Sequence, residues 1–530
     1  MILFNDLKRI LYLSLLCCFL LQACNWQKEI PETGLVLAEH FDNKLYKKFD
    51  TAAYNQVFNR HFDSLRKNLS NPNTVRSFYE LQGLSPELVT HHYVNGDLAA
   101  LIDYIGRSTQ HGFNPESFGL KRLKELKNRL DANQFETITE VYPVLADLEI
   151  NAAEALLKYH SQVYYGSLNP RKLLNRYYIN VKRPDSTGLI KVLSTPDLAQ
   201  LLKDIQPRSD QYLTFQKELA KLQENAAAEE KLKTILVNME RLRWKLPEQG
   251  TEYVEVNIPD FSLTWFKDKD TLSYMKVCVG AKREKGYEEK LKAFIQSGKL
   301  DDKPKNHETP VLYSKLNSIQ VNPVWNIPVS IAQSEIYYQA LADPYYLSNN
   351  NIRVYYKGKL VGDPDTIQWN LYSRAKLPFQ FKQGSGDGNA LGKFKFIFDN
   401  GSSIYLHDTN NKSAFKYDNR AISHGCVRIE KPLEFAQLLV KSKYQYDELR
   451  MEVNLPPLDT SRMEVYHKKL DKKLDTAKAF VLKPTWFGTK KPIPLYINYV
   501  TAWWQNGKLQ QRADVYGQDA VLWVKLKRFL

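Results

Sequence analysis

The sequence predicts an α+β protein, a helical N-terminal half followed by a strand-bearing C-terminal half. Three observations carry this. Leu145, Leu148, Ala152, Ala155, Leu156, Tyr159 and Val163 recur with the period of one helix face, and the pattern stops at Gly166 and Asn169-Pro170. Past Trp244 the period becomes two: Val254, Val256 and Ile258 alternate with Tyr253, Glu255 and Asn257 up to Pro259. Phe394, Phe396 and Phe398 alternate with Lys393, Lys395 and Ile397 ahead of Asp399-Asn400-Gly401, a hairpin signal.

The chain has 530 residues, room for about three domains at roughly 150 residues each. A hydrophobic share of 43% and a charged share of 25% exclude wholesale disorder, a collagen-like repeat and a polytopic membrane protein. Lys and Arg number 74 against 59 Asp and Glu, a formal charge of +15. The basic residues are scattered rather than clustered with aromatics, so no nucleic-acid partner is expected. An acidic polymer or an anionic membrane surface is compatible with the charge.

At the N-terminus Lys8 and Arg9 precede the apolar run Ile10 to Leu21. The run is shorter than the ~20 residues that span a bilayer and fits a signal-peptide core. It ends in Leu21-Gln22-Ala23-Cys24, which resembles the lipobox of bacterial lipoproteins. Residues 1–23 are thus expected to be a signal peptide, with lipid on Cys24 and the body tethered in the cell envelope, on the periplasmic side. The alternative is an ordinary secretory signal with an incidental cysteine. Of the five cysteines, only Cys278 and Cys426 then remain in the folded body.

Residues 24–41 read as a linker and 42–240 as a helical domain. Shorter helices are expected around Leu98–Ile105 and Leu120–Leu130, and Phe215 to Arg243 as a charged helical connector. In the second half Tyr274 to Gly280 reads as a strand holding Cys278 as a core thiol. Residues 329–380 read as a Tyr-rich, irregular insertion able to cover a cleft.

The residues that carry chemistry follow Phe398. A return strand is expected over Ser403-Ile404-Tyr405-Leu406-His407, and strand alternation points Tyr405 and His407 to one face. Asp408 opens the next loop. Then comes Ser423-His424-Gly425-Cys426-Val427-Arg428-Ile429, with a helix start at Pro432. A thiol flanked by glycine and polar residues, with His407 or alternatively His424 as its base, suits a nucleophilic Cys–His enzyme, because a free thiol needs a base or a positive field to attack near neutral pH. Two alternatives stay open on spacing alone. One is a zinc site drawn from His407, Asp408, His424 and Cys426, although paired ligand spacings are missing. The other is a polar loop with Cys426 bridged to Cys278.

His407 followed by Ser423-His424-Gly425-Cys426-x-Arg428 resembles the signature of L,D-transpeptidases, the YkuD-type catalytic domain. Arg241-Leu242-Arg243-Trp244, Val256 to Pro259, Thr309-Pro310, Asn322 to Pro328, Gly388-Asn389-Ala390-Leu391-Gly392, Tyr499 to Trp503 and Asp514 to Gly517 are similar to blocks of its large, YcbB-type members. The resemblance implies a β-rich catalytic domain over 241–475, capped by the insertion, with 476–530 packing on it. It implies Cys426 as nucleophile, His407 as base and the Asp408 backbone carbonyl as orienting group. Tyr405 and the Gly425–Cys426 backbone would stabilise the oxyanion, and Ser423, His424 and Arg428 would support the loop or hold substrate. No metal or other cofactor is implied. The implied partners are peptidoglycan stem peptides, a donor tetrapeptide and an acceptor amine, handled by a monomer that cross-links their third residues and releases D-Ala. Hydrolysis or D-amino-acid exchange at the same site is the alternative activity, and a non-catalytic wall-binding lipoprotein the alternative class. The peptidoglycan-binding module common in large members has no counterpart in the short stretch Leu219 to Glu240.

Overall fold

The structure, a computed structural model, describes residues 29–223, 229–281, 284–297, 299, 302, 304, 307–474 and 482–530. The expected signal segment, the Cys24 lipidation site and the first residues of the linker lie outside them. Two compact units form. Of the described residues, one holds those up to Ser167, Arg183–Ala220 and Phe529–Leu530; the other holds those of Leu168–Lys182 and Lys221–Arg528. Among the described residues no helix is long and apolar enough to cross a membrane.

The first unit is helical. Its axis is the helix Ile138–Tyr165, closed by Gly166 at φ +83°, a left-handed angle that glycine adopts without strain. The seven residues whose spacing predicted it are all fully buried. Tyr54, Phe58 and Phe62, on one stripe of the helix Thr51–Leu65, join the same core. That helix is opened by Asp50, whose carboxylate accepts the Ala53 N–H at 3.0 Å, a cap worth about 1 kcal/mol. Two expected boundaries are corrected. Residues Glu32–His40 are helical with Leu37 buried in this core, so the presumed linker is largely part of the domain. At the other end the helix Glu229–Arg243 belongs to the second unit, because its apolar face and its arginines find partners there. Arg243 pairs with Glu240 at 2.7 Å and Arg241 with Asp519 at 2.6 Å, all four side chains buried.

The second unit is built on strands β1 (Glu252–Asn257), β2 (Ser262–Lys267), β3 (Asp270–Gly280), β4 (Leu312–Val321), β5 (Trp325–Ile327), β6 (Ile352–Tyr356), β7 (Lys359–Leu360), β8 (Phe379–Gln383), β9 (Phe394–Phe398), β10 (Leu406–His407), β11 (Ala421–Ser423), β12 (Val427–Ile429), β13 (Thr485–Asn498), β14 (Ala502–Gln505) and β15 (Lys508–Gln511). Nine form one sheet in the order β11-β3-β12-β10-β9-β4-β13-β1-β2. The long strand β3 pairs β2 along its first part and β12 and β11 along its last residues, so the sheet curls back on itself. The helix Pro432–Leu439, with proline in its first turn as expected, seals the interior. Its Phe435 meets Trp265 and Phe396 edge-on, at 5.5 and 4.8 Å between ring centres. Truncating such a ring typically costs about 3–5 kcal/mol. The C-terminal segment does more than pack on this domain: β13 lies between β4 and β1, antiparallel to one and parallel to the other.

The insertion is not irregular. Strands β5, β8, β6 and β7 form a separate four-stranded sheet, and Ile331, Ile336, Leu347, Val354, Trp369 and Phe381 make its own core. Its elements are too short to leave a readable period in the sequence.

Candidate active site

Strand β10 is shorter than predicted, holding only Leu406 and His407. It pairs antiparallel with β9, Leu406 opposite Phe396 and His407 opposite Lys395. The hairpin is not a two-residue Asn-Gly turn. Instead the Asn400 side chain pins a wider loop: its Oδ1 accepts the N–H groups of Ser402 and Ile404, and its Nδ2 donates to the carbonyls of Phe398 and Ile404.

On its other side β10 runs parallel to β12, with His407 beside Arg428 and Leu406 beside Val427. The Val427 N–H donates to the Tyr405 carbonyl at 3.2 Å and continues that register backward. Tyr405, His407, Cys426 and Arg428 therefore share one face, while Leu406 and Val427 are fully buried behind them. The rings of Tyr405 and His407 stand 5.7 Å apart.

His407 is buried, and its Nδ1 donates to the Asp408 carbonyl. A carbonyl can only accept, so the proton sits on Nδ1 and Nε2 is the basic nitrogen. Burial, with Arg428 and Lys395 nearby, lowers the imidazole pKa to about 3, against the pull of the Asp408 and Leu391 carbonyls. The ring is neutral at physiological pH.

The Asp408 carboxylate takes no part in orienting the imidazole. One oxygen accepts the Lys393 N–H at 2.8 Å, the other accepts the Thr409 N–H at 2.7 Å and pairs with Lys412. It anchors the loop whose backbone holds His407. Gly392, at φ +61°, makes room for it: a Cβ there would stand 2.4 Å from the carboxyl carbon of Asp408.

Cys426 is a half-buried free thiol, and Cys278 is a free thiol fully buried in β3; the bridged alternative is therefore overturned. Burial raises the Cys426 pKa. The backbone N–H and hydroxyl of Tyr405, Lys395 and Arg176 act in the opposite direction. Both shifts favour a neutral thiol beside a neutral imidazole over a thiolate–imidazolium pair.

Ser423 supports the loop as expected, donating to the Cys426 carbonyl at 2.6 Å and accepting the Gly425 N–H at 3.1 Å. That second bond corrects the oxyanion assignment of Gly425, because its N–H is turned into the loop. Gly425 matters for its φ of +118° and for its carbonyl, which accepts from Thr309 Oγ1 at 2.8 Å. His424 faces the insertion and meets Glu335 at 2.7 Å. The four residues of the zinc alternative are thus engaged with separate partners.

Sequence reasoning missed Lys395, Arg176 and Trp325. Lys395 was legible in principle, since it alternates with the buried phenylalanines and lies opposite His407. Trp325, in β5, hydrogen-bonds Tyr405. Arg176 comes from a segment with no motif of its own.

Residues 251–451 match the YkuD family, described as the L,D-transpeptidase catalytic domain, and residues 73–219 match the family described as Scaffold domain. The chain is also similar to a Haemophilus influenzae protein named "Putative L,D-transpeptidase", at 29% identity over 302 residues, which is 56% of this chain and 51% of the relative. It therefore spans about half the length of that curated relative. The motif, the strand register that gathers it and the family matches lead to one statement: the chain carries a YkuD L,D-transpeptidase catalytic domain, preceded in sequence by a Scaffold domain.

Proposed function

We propose that the protein is a peptidoglycan L,D-transpeptidase working through an acyl-enzyme on Cys426. The observation that supports this most is the shared face of Cys426, Tyr405 and His407, with the imidazole locked in its Nδ1–H form by a backbone carbonyl. In the first step Sγ attacks the carbonyl joining the third residue of a donor tetrapeptide to its terminal D-Ala. The thiol proton passes to Nε2 of His407, and the tetrahedral oxyanion is held by the Tyr405 hydroxyl and the Cys426 N–H. The C–N bond then breaks, D-Ala takes the proton from His407, and a thioester remains. In the second step the side-chain amine of an acceptor's third residue attacks the thioester, gives its proton to His407, and the thiol leaves reprotonated. Splitting one acyl transfer in two is the gain from a covalent intermediate, and each oxyanion donor is worth about 2.7–4 kcal/mol. Arg428 and His424 border the place where substrate lies, and Ser423 shapes the loop.

The apolar run after Lys8 and Arg9, and Cys24 behind it, support an envelope location with a lipid tether on the periplasmic side. Two lipid chains suffice for stable anchoring. The test is muropeptide analysis after incubating tetrapeptide-bearing peptidoglycan with the parent and with Cys426→Ala. New dimers and released D-Ala that vanish in the variant are the expected result. Shortened monomers without dimers would instead assign hydrolysis, and unchanged wall would reject catalysis.

A further inference from the structure

Two cations act on the nucleophile, and among the described residues neither is held in an ion pair. Lys395 stands in β9 opposite His407, half-buried, with its Nζ 3.9 Å from the ring centre of Tyr405. Arg176 arrives from a distant stretch of the chain, fixed by its carbonyl, which accepts the Val311 N–H at 3.0 Å. Its Nη1 lies 3.5 Å from where a Cβ on Gly425 would stand. The field of both reaches the Cys426 thiol. Among the described residues neither has a carboxylate within ion-pair reach. The nearby acids have other partners: Asp408 is taken by Lys412 and two backbone N–H groups, Glu335 by His424, and the buried Glu308, which with Arg176 acts on Tyr516, is engaged as well.

A cation partly stripped of water and left unpaired is costly, and the cost is offset when an anion arrives. A guanidinium and an ammonium whose fields both reach a thiol suit a carboxylate, which the first can grip with two hydrogen bonds and the second with a point charge. In the proposed donor the leaving D-Ala carries its carboxylate on the carbon next to the scissile nitrogen. We propose that Lys395 and Arg176 form a carboxylate subsite beside Cys426, which selects donors with a free carboxylate adjoining the bond to be cut. The donor preference rests on the transpeptidase reading; the anion subsite itself does not.

The experiment uses the full chain as parent, Lys395→Met, Arg176→Gln and Lys395→Arg. The first readout is alkylation of Cys426 by iodoacetate and by iodoacetamide, followed at that residue by mass spectrometry. The two reagents lose the same iodide and differ in charge. The iodoacetate-to-iodoacetamide rate ratio should exceed that of a small free thiol by on the order of tenfold, fall by a similar factor in Lys395→Met and Arg176→Gln, and recover in Lys395→Arg. The second readout is kcat/KM for tetrapeptides ending in a free or an amidated D-Ala, where the preference for the acid should fall in the same two variants. A parent ratio equal to that of the free thiol, or one unmoved by both charge removals, overturns the proposal. So does equal turnover of acid and amide donors by the parent, which leaves the transpeptidase reading standing. The alkylation pattern as expected, with neither donor cleaved, supports the anion subsite and rejects the transpeptidase reading.

Discussion

The Thr309 hydroxyl donates to the carbonyl of Gly425 at 2.8 Å while accepting the N–H of Gly280 at 2.9 Å. One buried side chain thus ties the end of β3 to the residue before the nucleophile. The Thr309 N–H is held in turn by the Tyr516 hydroxyl at 3.2 Å, which itself donates to the Gly280 carbonyl at 2.7 Å. The Tyr516 N–H reaches the Tyr499 hydroxyl, which donates to Asp514. Sequence blocks far apart along the chain converge behind the loop rather than in front of it.

Thr309→Val keeps the shape and removes the bridge. Burying the Gly280 N–H and Gly425 carbonyl without it should cost about 1–3 kcal/mol, read as a lowered thermal midpoint. Alkylation of Cys426 should respond as well, because Gly425 loses its tether. An unchanged midpoint would mean the bridge contributes nothing net.

Gly392→Ala should be far more damaging to activity than a glycine-to-alanine change usually is. The new methyl must displace the Asp408 carboxylate, and φ +61° adds strain of about 1 kcal/mol or more. Asp408 carries the carbonyl that orients His407, so D-Ala release should drop at least tenfold. Retained activity would show that the loop can yield without moving the imidazole.

The pH dependence of thiol reactivity separates two resting states. With His407 lowered to about 3 and Cys426 raised, the iodoacetamide rate should climb steadily from pH 6 to 9, following the thiolate fraction. A plateau across that range would show a preformed ion pair. His407→Gln should cut D-Ala release by about a hundredfold or more, as expected for loss of a general base.

Two buried histidines weaken the fold on acidification. His407 and, in the helical unit, His160 (pKa about 4) are held neutral by burial. An unfolded imidazole titrates near 6.5, so below that pH the unfolded chain binds protons that the folded one does not. Each such histidine removes up to about 1.4 kcal/mol per pH unit until the folded-state value is reached. Glu149 and Asp514, raised to about 8 and about 6, act in the opposite direction but equally in both chains, so the midpoint difference between parent and His160→Gln should shift in the variant's favour from pH 7 to pH 5, and a difference independent of pH would contradict the assignment.

Glu335→Gln should leave global stability within about 1 kcal/mol, because the pair with His424 is partly exposed. Hydrogen exchange over 332–336 and 423–426 should nevertheless rise if the pair fastens the insertion to the motif loop. Unaltered exchange in both segments would show that the pair fastens nothing.

What the residues disclosed follows from how local each signal is. The helix Ile138–Tyr165 and the face shared by Tyr405 and His407 are written in a period of three to four or of two, and both were legible. Ser423 as loop support was legible too, since the interaction closes within four residues. The Gly425 assignment failed for the same reason in reverse: one hydroxyl nearby had already claimed its N–H. The fold of the insertion, the Asn400 loop and the role of the Asp408 carboxylate depend on neighbours that no pattern announces. The field of Arg176 reaches the nucleophile because the stretch Leu168–Lys182 belongs to the second unit.

Strand β13 separates β4 from β1, although both of those precede it by well over a hundred residues. Neither can find its final neighbour until β13 has been synthesised and inserted between them. Pairings over such sequence distances close slowly and late. A chain emerging from the ribosome therefore carries Cys426 for some time before the surface around it exists, and a fragment ending at the family boundary near 451 should fail to fold.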